Sequence, residues 1–426
     1  MQTHFPVIII GGGQAGLSMS YCLKERGIEH IVFERHRIGE AWRSQRWDAF
    51  CLVTPNWQCQ LPGFAYAGPD PKGFMVKDQI VEYIEAYARS FSPPVHESVT
   101  VKRLSRLREG GFSVETTFRD FTADQVVIAT GGYHTAKLPR LAERFEPEIQ
   151  QIHSSEYKSP AQLAEGAVLV VGTGQSGCQI AEDLHLAGRK VHLCVGGAPR
   201  TARRYRGKDV VEWLHDLRYY DMPVHEHPQK ERVRAKANHY VTGRDGGRDI
   251  DLRKFALEGM ELYGRLKDAH DGQLTFAPDL RENLDHADHV AESIKNTIDK
   301  YIAGQGIDAP IEARYQPVWQ PEGDRLGLDY RAAGIRSIVW SMGFETNYRW
   351  VEIPVFDGKG YPSHERGVTP IPGLYFLGLP WQYTWGSGRF SGVGQDARFL
   401  ADRIESRHGI APGYEEAVLN EWALGS

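Results

Sequence analysis

The sequence predicts an α/β protein made of two parallel-sheet units, one inserted into the other, and three observations carry that reading. The run Val7-Ile-Ile-Ile-Gly-Gly-Gly-Gln-Ala-Gly16 recurs as Val168-Leu-Val-Val-Gly-Thr-Gly-Gln-Ser-Gly177 at a constant offset of 161 without a gap. Each copy continues into a helix-like stretch ending near Gly27 or Gly188, then a second apolar run at Ile31–Phe33 or Val191–Cys194, which is the order of a βαβ unit. The length of 426 residues, 41% hydrophobic and 25% charged, supplies two or three cores at roughly 100–200 residues per domain.

The first unit explains itself residue by residue. Gly11 allows a tight turn, Gly13 lets backbone approach a pyrophosphate, and Gly16 permits close helix-to-strand packing. A helix opening at Gln14 and Ala15 then presents free N–H groups to phosphate. Glu34 ends the second strand, where a carboxylate accepts hydrogen bonds from an unphosphorylated ribose, as in FAD or NAD, with Arg35 beside it.

The second unit repeats the logic with Gly172, Gly174, Gln175, Ser176 and Gly177, but Val195 stands where Glu34 stands in the first. Beyond it comes the basic run Pro199-Arg-Thr-Ala-Arg-Arg-Tyr-Arg-Gly-Lys208 in a chain that is acidic overall. Guanidinium forks suit a 2′-phosphate, so Arg200, Arg203 and Arg204 are candidates for recognising NADPH in preference to NADH; a solvated basic loop is the plainer alternative.

Three further segments fit one flavin site. Ala123–Gly131 reads as a buried strand ending in Thr130 and Gly131, and Ile338–Gly343 repeats that pattern less closely. The tail carries Gly378 and then Gly392 and Val393, which open an amphipathic helix whose positive end would face a reduced isoalloxazine.

With Gly39-Glu-Ala-Trp42, Leu52-Val-Thr-Pro-Asn-Trp57, Leu61-Pro-Gly63 and Arg203-Arg-Tyr-Arg-Gly207, these segments resemble the two-dinucleotide-binding flavoproteins, and within them the class B flavin-dependent monooxygenases. Through Gly243-Arg-Asp-Gly-Gly247 and Pro380-Trp-Gln-Tyr-Thr-Trp385 the chain is most similar to uncharacterised bacterial flavin-dependent oxidoreductases often encoded beside nitrilases. The resemblance covers nearly the whole chain. It implies two Rossmann-like dinucleotide-binding domains: an FAD domain from residues 1–160 and 331–426, and an NADPH domain at 161–330 with a helical insertion at about 210–310. It also implies that NADPH reduces FAD and that a C4a-(hydro)peroxyflavin formed with molecular oxygen passes one oxygen atom to a small organic substrate. A reductase or oxidase without oxygen insertion is the alternative, and a non-catalytic NADPH sensor a second.

Site candidates follow from the resemblance. Asn56 could donate to a peroxide oxygen or to the nicotinamide amide, or simply cap a turn after Pro55. Trp42 and Trp57 could line the flavin or belong to the core. His153 and Tyr157 match the second half of the fingerprint FxGxxxHxxx(Y/F), while Pro147 and Ile149 replace its Phe and Gly; His153 is then a hinge or a structural histidine.

Composition sets the remaining limits. Fifty basic and 55 acidic side chains give a net charge of -5, which argues against a general nucleic-acid or anionic-membrane binder. The longest apolar runs fall far short of the ~20 residues that span a bilayer, so neither a membrane span nor a signal peptide is expected. Five scattered cysteines suggest a reduced, cytoplasmic protein without a metal site, and Cys51 and Cys59 are too far apart for the redox pair of a disulfide reductase. A homodimer is left open.

Overall fold

The computed structural model describes residues 2–408. The first β-branched run forms the strand His4–Ile10, and the glycine turn passes into helix α1 (Gln14–Glu25), which buries Leu17, Met19, Cys22 and Leu23 against the sheet. His30–Phe33 returns parallel to the first strand, with Ile10 opposite Phe33. Helix α2 (Glu40–Ser44) and helix α3 (Lys77–Phe91) follow, and α3 closes one face with Ile80, Ile84 and Tyr87.

The first sheet runs Val95–His96, His30–Phe33, His4–Ile10, Asp120–Ile128, Phe112–Thr116 and Val101–Arg106. One edge of the strand Asp120–Ile128 pairs with His4–Ile10, and its other edge is long enough for two partners. Its first half pairs antiparallel with Phe112–Thr116, and its second half pairs parallel with Leu374–Phe376 from the far end of the chain. Helix α8 (Val393–Arg407) then packs beside α1, so both ends of the described chain share one core.

The second sheet is wholly parallel, in the order Gln150–His153, Ile335–Trp340, Ala167–Val171, Val191–Cys194 and Glu261–Tyr263. Helix α4 (Gln175–Leu186) lies between its third and fourth strands in sequence. The repeat is exact in register: Val171 opposes Cys194 as Ile10 opposes Phe33.

Two expectations about this unit need correction. Gln150–His153 and Ile335–Trp340 are strands of the second sheet, so the unit begins before residue 161 and ends after residue 330. Its edges are set instead by the two connecting segments, which pair antiparallel as Thr135–Ala136 on Phe344–Glu345. The region 210–310 is also not simply helical. Besides α5 (Val210–Asp216), α6 (Leu252–Leu257) and α7 (Leu280–Gln305), it supplies the edge strand Glu261–Tyr263 and the hairpin Leu266–His270 with Gln273–Phe276.

Candidate functional site

In both units the three glycines have separate duties. Gly11 has φ +113°, and a Cβ there would lie 2.6 Å from the Ala129 carbonyl oxygen; Gly172, at φ +104°, would meet the Ser341 oxygen at 2.6 Å. A Cβ on Gly16 would fall 1.8 Å from the Gly11 oxygen, and one on Gly177 1.9 Å from the Gly172 oxygen. Only the middle glycines, Gly13 and Gly174, face open space, with no protein atom within 4 Å of such a Cβ. Each is the N-cap of its helix, and neither helix has a side-chain cap. Uncapped N–H groups and a positive dipole end therefore open onto a cradle that a methyl group would fill, which fits a dinucleotide pyrophosphate.

The two cradles differ at the ribose end. The Glu34 carboxylate accepts from the Gly12 N–H at 2.7 Å and from the His36 N–H at 2.9 Å, so it is fixed at the lip of the first cradle. Arg35 beside it is exposed. In the second unit Thr173 takes the place of Gly12, and its hydroxyl bonds the Gly196 N–H at 2.9 Å and the Gly196 carbonyl at 3.1 Å. A neutral bracket thus replaces a carboxylate, leaving that lip open to a phosphorylated ribose.

Around the first cradle, Trp42 Nε1 donates to Gln14 Oε1 at 3.2 Å, and Gln14 Nε2 donates to the Gly388 carbonyl at 3.1 Å. The Trp42 ring stacks on Phe390, with centroids 5.4 Å apart. Gly378 has φ +87°, and a Cβ there would meet that of Ala15 at 2.7 Å, so the tail presses directly on the start of α1. The Tyr348 hydroxyl donates to the Gly131 carbonyl at 3.0 Å, holding the turn at Thr130 and Gly131. Gly392 is the uncapped N-cap of α8, and Val393 its first residue is buried. Ser391 Oγ there, and Ser341 Oγ beside Gly172, are buried without a protein partner among the described residues. Orphaned hydroxyls at both cradles suit polar cofactor edges.

Several expected roles fail on geometry. Asn56 is buried and bonded at both ends of its amide: Nδ2 donates to the Asp70 carbonyl at 2.9 Å and Oδ1 accepts from the Met75 N–H at 2.7 Å. It staples the 70–75 loop instead of facing a reactant. Trp57 packs edge-on against His215 of α5 at 4.9 Å, a contact between the two units. His153 is 1% exposed; Nδ1 pairs with Ser155 Oγ at 2.9 Å and Nε2 with the Gly343 carbonyl at 3.0 Å, so it ties the two connections together and has no nitrogen left for proton exchange. Burial also pushes its pKa down. The Tyr157 hydroxyl donates to Asp183 at 2.8 Å.

The basic run divides likewise. Arg200 is bonded to Asp288 at 2.6 Å and lies 4.2 Å from the Tyr315 ring centroid. Arg203 pairs with Asp209 at 2.5 Å, donates to the Val53 carbonyl at 2.7 Å and covers Phe74. Both are buried inside the protein, and Arg204 alone of the three is exposed, with one long contact of 3.4 Å to the Gly246 carbonyl. All five cysteines are buried and free. No group of metal-ligating side chains occurs among the described residues, and none of their helices is long and apolar enough to cross a membrane. Sequence reasoning missed Thr173, Arg46 and Arg389: Thr173 lies inside the second glycine motif but its partner Gly196 is 23 residues away, Arg389 meets Asn238 from 151 residues away, and nothing in the local run around Arg46 marks it as unpaired.

Fold and site together define an oxidoreductase built on two dinucleotide-binding units. Residues 8–257 match the pyridine nucleotide-disulphide oxidoreductase family, and the chain belongs to it. It is 34% identical over 407 residues to an uncharacterized CzcO-like oxidoreductase of Geobacillus kaustophilus, covering 95% of this chain and 99% of that one. It is 32% identical over 200 residues to indole-3-pyruvate monooxygenase YUCCA6 of Arabidopsis thaliana, covering 45% of this chain and 48% of that protein. Its fold matches a flavin monooxygenase mutant from Stenotrophomonas maltophilia with a TM-score of 0.64 at 19% identity, over 95% of this chain and 99% of that one. The resemblance drawn from the motifs holds for the oxidoreductase family and for a fold shared with flavin monooxygenases.

Proposed function

We propose that the protein is an FAD-containing, NADPH-dependent monooxygenase acting on a small organic substrate in a reducing cytoplasm. The observation that carries this reading is the pair of open cradles above Gly13 and Gly174, one guarded by Glu34 and the other lacking an acid at Val195. Two different dinucleotides on one chain imply hydride exchange between them, and bound FAD supplies the oxygen chemistry. The balance is NADPH, a proton, O2 and substrate in; NADP+, water and the oxygenated substrate out.

The chain's own residues bind and position. Backbone N–H groups at Gln14 and Ala15, and at Gln175 and Ser176, would hold the two pyrophosphates. Glu34 would receive the flavin-side ribose, and Arg204 the 2′-phosphate. Trp42, Phe390 and the start of α8 would border the ring system and keep water from it. A partial relative that is an indole-3-pyruvate monooxygenase supports oxygen insertion. The five buried free thiols speak against a dithiol mechanism and for a reducing compartment.

The reductase or oxidase reading keeps weight from one observation: Asn56 and His153 are committed elsewhere, so neither is free to steady an oxygen adduct. Rapid mixing separates the two. The enzyme is reduced with NADPH without oxygen, O2 is added, and the flavin spectrum is followed with peroxide release. A persisting C4a adduct with little H2O2 is expected; direct return to oxidised flavin with stoichiometric H2O2, and no substrate that restores coupling, would overturn the monooxygenase reading.

A further inference from the structure

Buried arginines in this protein have carboxylate partners: Arg200 with Asp288, Arg203 with Asp209, and Arg253 with Asp285 and Asp288. Two half-buried arginines beside the first cradle do not. Arg46 donates Nη1 to the Gln45 carbonyl at 2.8 Å, and its guanidinium lies 5.0 Å from the Trp42 centroid and 5.4 Å from that of Phe50. Arg389 donates to the Trp385 carbonyl and to Asn238 Oδ1, and covers the Trp385 ring at 3.9 Å. Among the described residues the partners of both guanidinium groups are carbonyls, an amide oxygen and rings, with no ion pair to a carboxylate, and desolvation lowers the pKa of both.

Each cation stands on its own ring: Arg46 covers Trp42, which stacks on Phe390, and Arg389, the chain neighbour of Phe390, covers Trp385. On the Arg389 side, Tyr220 packs on Trp385 at 4.5 Å and Tyr219 on Tyr220 at 5.6 Å. Burial keeps the Tyr220 hydroxyl protonated, a donor and not a competing anion.

A guanidinium stripped of water without an anion is costly, so such a site is completed by its ligand. The phosphates of the two dinucleotides have other takers: the open helix starts at Gln14 and Gln175, and Arg204. Resting on the monooxygenase reading for where the substrate sits, we infer that Arg389, with Arg46, binds the carboxylate of an aromatic acid whose ring lies against Tyr220 and Trp385, beside the Trp42 and Phe390 wall that borders the flavin. The planar fork of Arg389 matches a carboxylate, and the rings supply apolar and stacking contact to the rest of the molecule.

The test is a binding titration of the FAD-loaded enzyme, read by the absorption of oxidised flavin, and needs no turnover. Phenylacetate and 2-naphthylacetate are compared with their neutral amides. The acids should perturb the spectrum saturably at concentrations at least tenfold below the amides. R389Q and R46Q should each weaken acid binding at least tenfold, with R389K intermediate, while reduction of the flavin by NADPH keeps its rate within about threefold. Equal binding of acids and amides, or no perturbation by any, overturns the inference; so does a larger effect of the substitutions on NADPH than on the acids, which would assign the cations to the cofactor. The acid-to-amide comparison uses the unaltered enzyme, so it decides even if a variant fails to fold. An enzyme that binds the acids yet releases only H2O2 keeps this assignment and loses the monooxygenase reading.

Discussion

Arg204 and Arg203 are neighbours with opposite fates, and a pair of substitutions separates them. Arg204 is exposed on the strand after the second cradle, so Arg204→Ala should leave folding intact and raise the KM for NADPH about tenfold, roughly 1.4 kcal/mol, with little change for NADH. Steady-state kinetics with both cofactors check this; equal effects on the two would remove the 2′-phosphate role. Arg203→Ala instead removes a buried guanidinium from the half-buried Asp209 carboxylate, which keeps its cap on the Val211 N–H, and from the Val53 carbonyl, a loss that stays below the about 3–5 kcal/mol of a fully buried pair. Its signature is a lower melting temperature, not a cofactor preference. The sequence marked the basic run but could not sort it, because sorting depends on Asp288 reaching Arg200 and on Asp209 and Val53 reaching Arg203. Asn56 and His153 went the same way: the residue types suited chemistry, and their hydrogen bonds were taken by Asp70, Met75, Ser155 and Gly343.

Helices α1 and α4 carry the element-scale prediction, because glycines three residues apart in each opening do different work. Gly13→Ala adds a methyl that touches no protein atom, so the apo fold should survive, while bound FAD per purified chain falls at least tenfold. Gly174→Ala should leave FAD content unchanged and slow flavin reduction by NADPH instead. Gly16→Ala, whose methyl would lie 1.8 Å from the Gly11 oxygen, should destabilise the whole first unit and yield little soluble protein. Normal FAD content in Gly13→Ala would mean that the cradle does not hold the pyrophosphate. These elements were legible because the offset of 161 repeats strand, turn and helix together, and the structure preserves it to the register of Val171 on Cys194. The short strands Gln150–His153 and Glu261–Tyr263 were not legible. Each is three or four residues long, has little periodicity, and is a strand only because a neighbouring parallel strand offers its edge.

At the scale of the molecule, the buried histidines fix how the fold responds to acid. Burial lowers the pKa of His30, His134, His153 and His192, the last from 6.5 to about 4. In the unfolded chain each would titrate near its ordinary value, so between that value and the lowered one the unfolded state binds more protons. Stability from these groups is therefore complete above about pH 6.5 and is lost as pH falls toward 4. For His192, which is 2% exposed, the loss by pH 5 is about 2 kcal/mol on a scale of 1.36 kcal/mol per pH unit. Glu182 and Asp396 work in the opposite sense, since burial raises their pKa values and the folded state takes up protons first. Both keep an arginine partner, Arg248 at 2.6 Å and Arg366 at 3.0 Å, which restrains that shift. The net expectation is a melting temperature that falls steadily from pH 7 to pH 5. His192→Asn removes the group that cannot be charged in place, so the variant should start less stable at pH 7, having lost the 3.1 Å contact of His192 Nδ1 with the Tyr263 hydroxyl, and then decline less steeply. Parallel slopes for the two proteins would mean that His192 is protonated in the fold and that the acid sensitivity lies elsewhere.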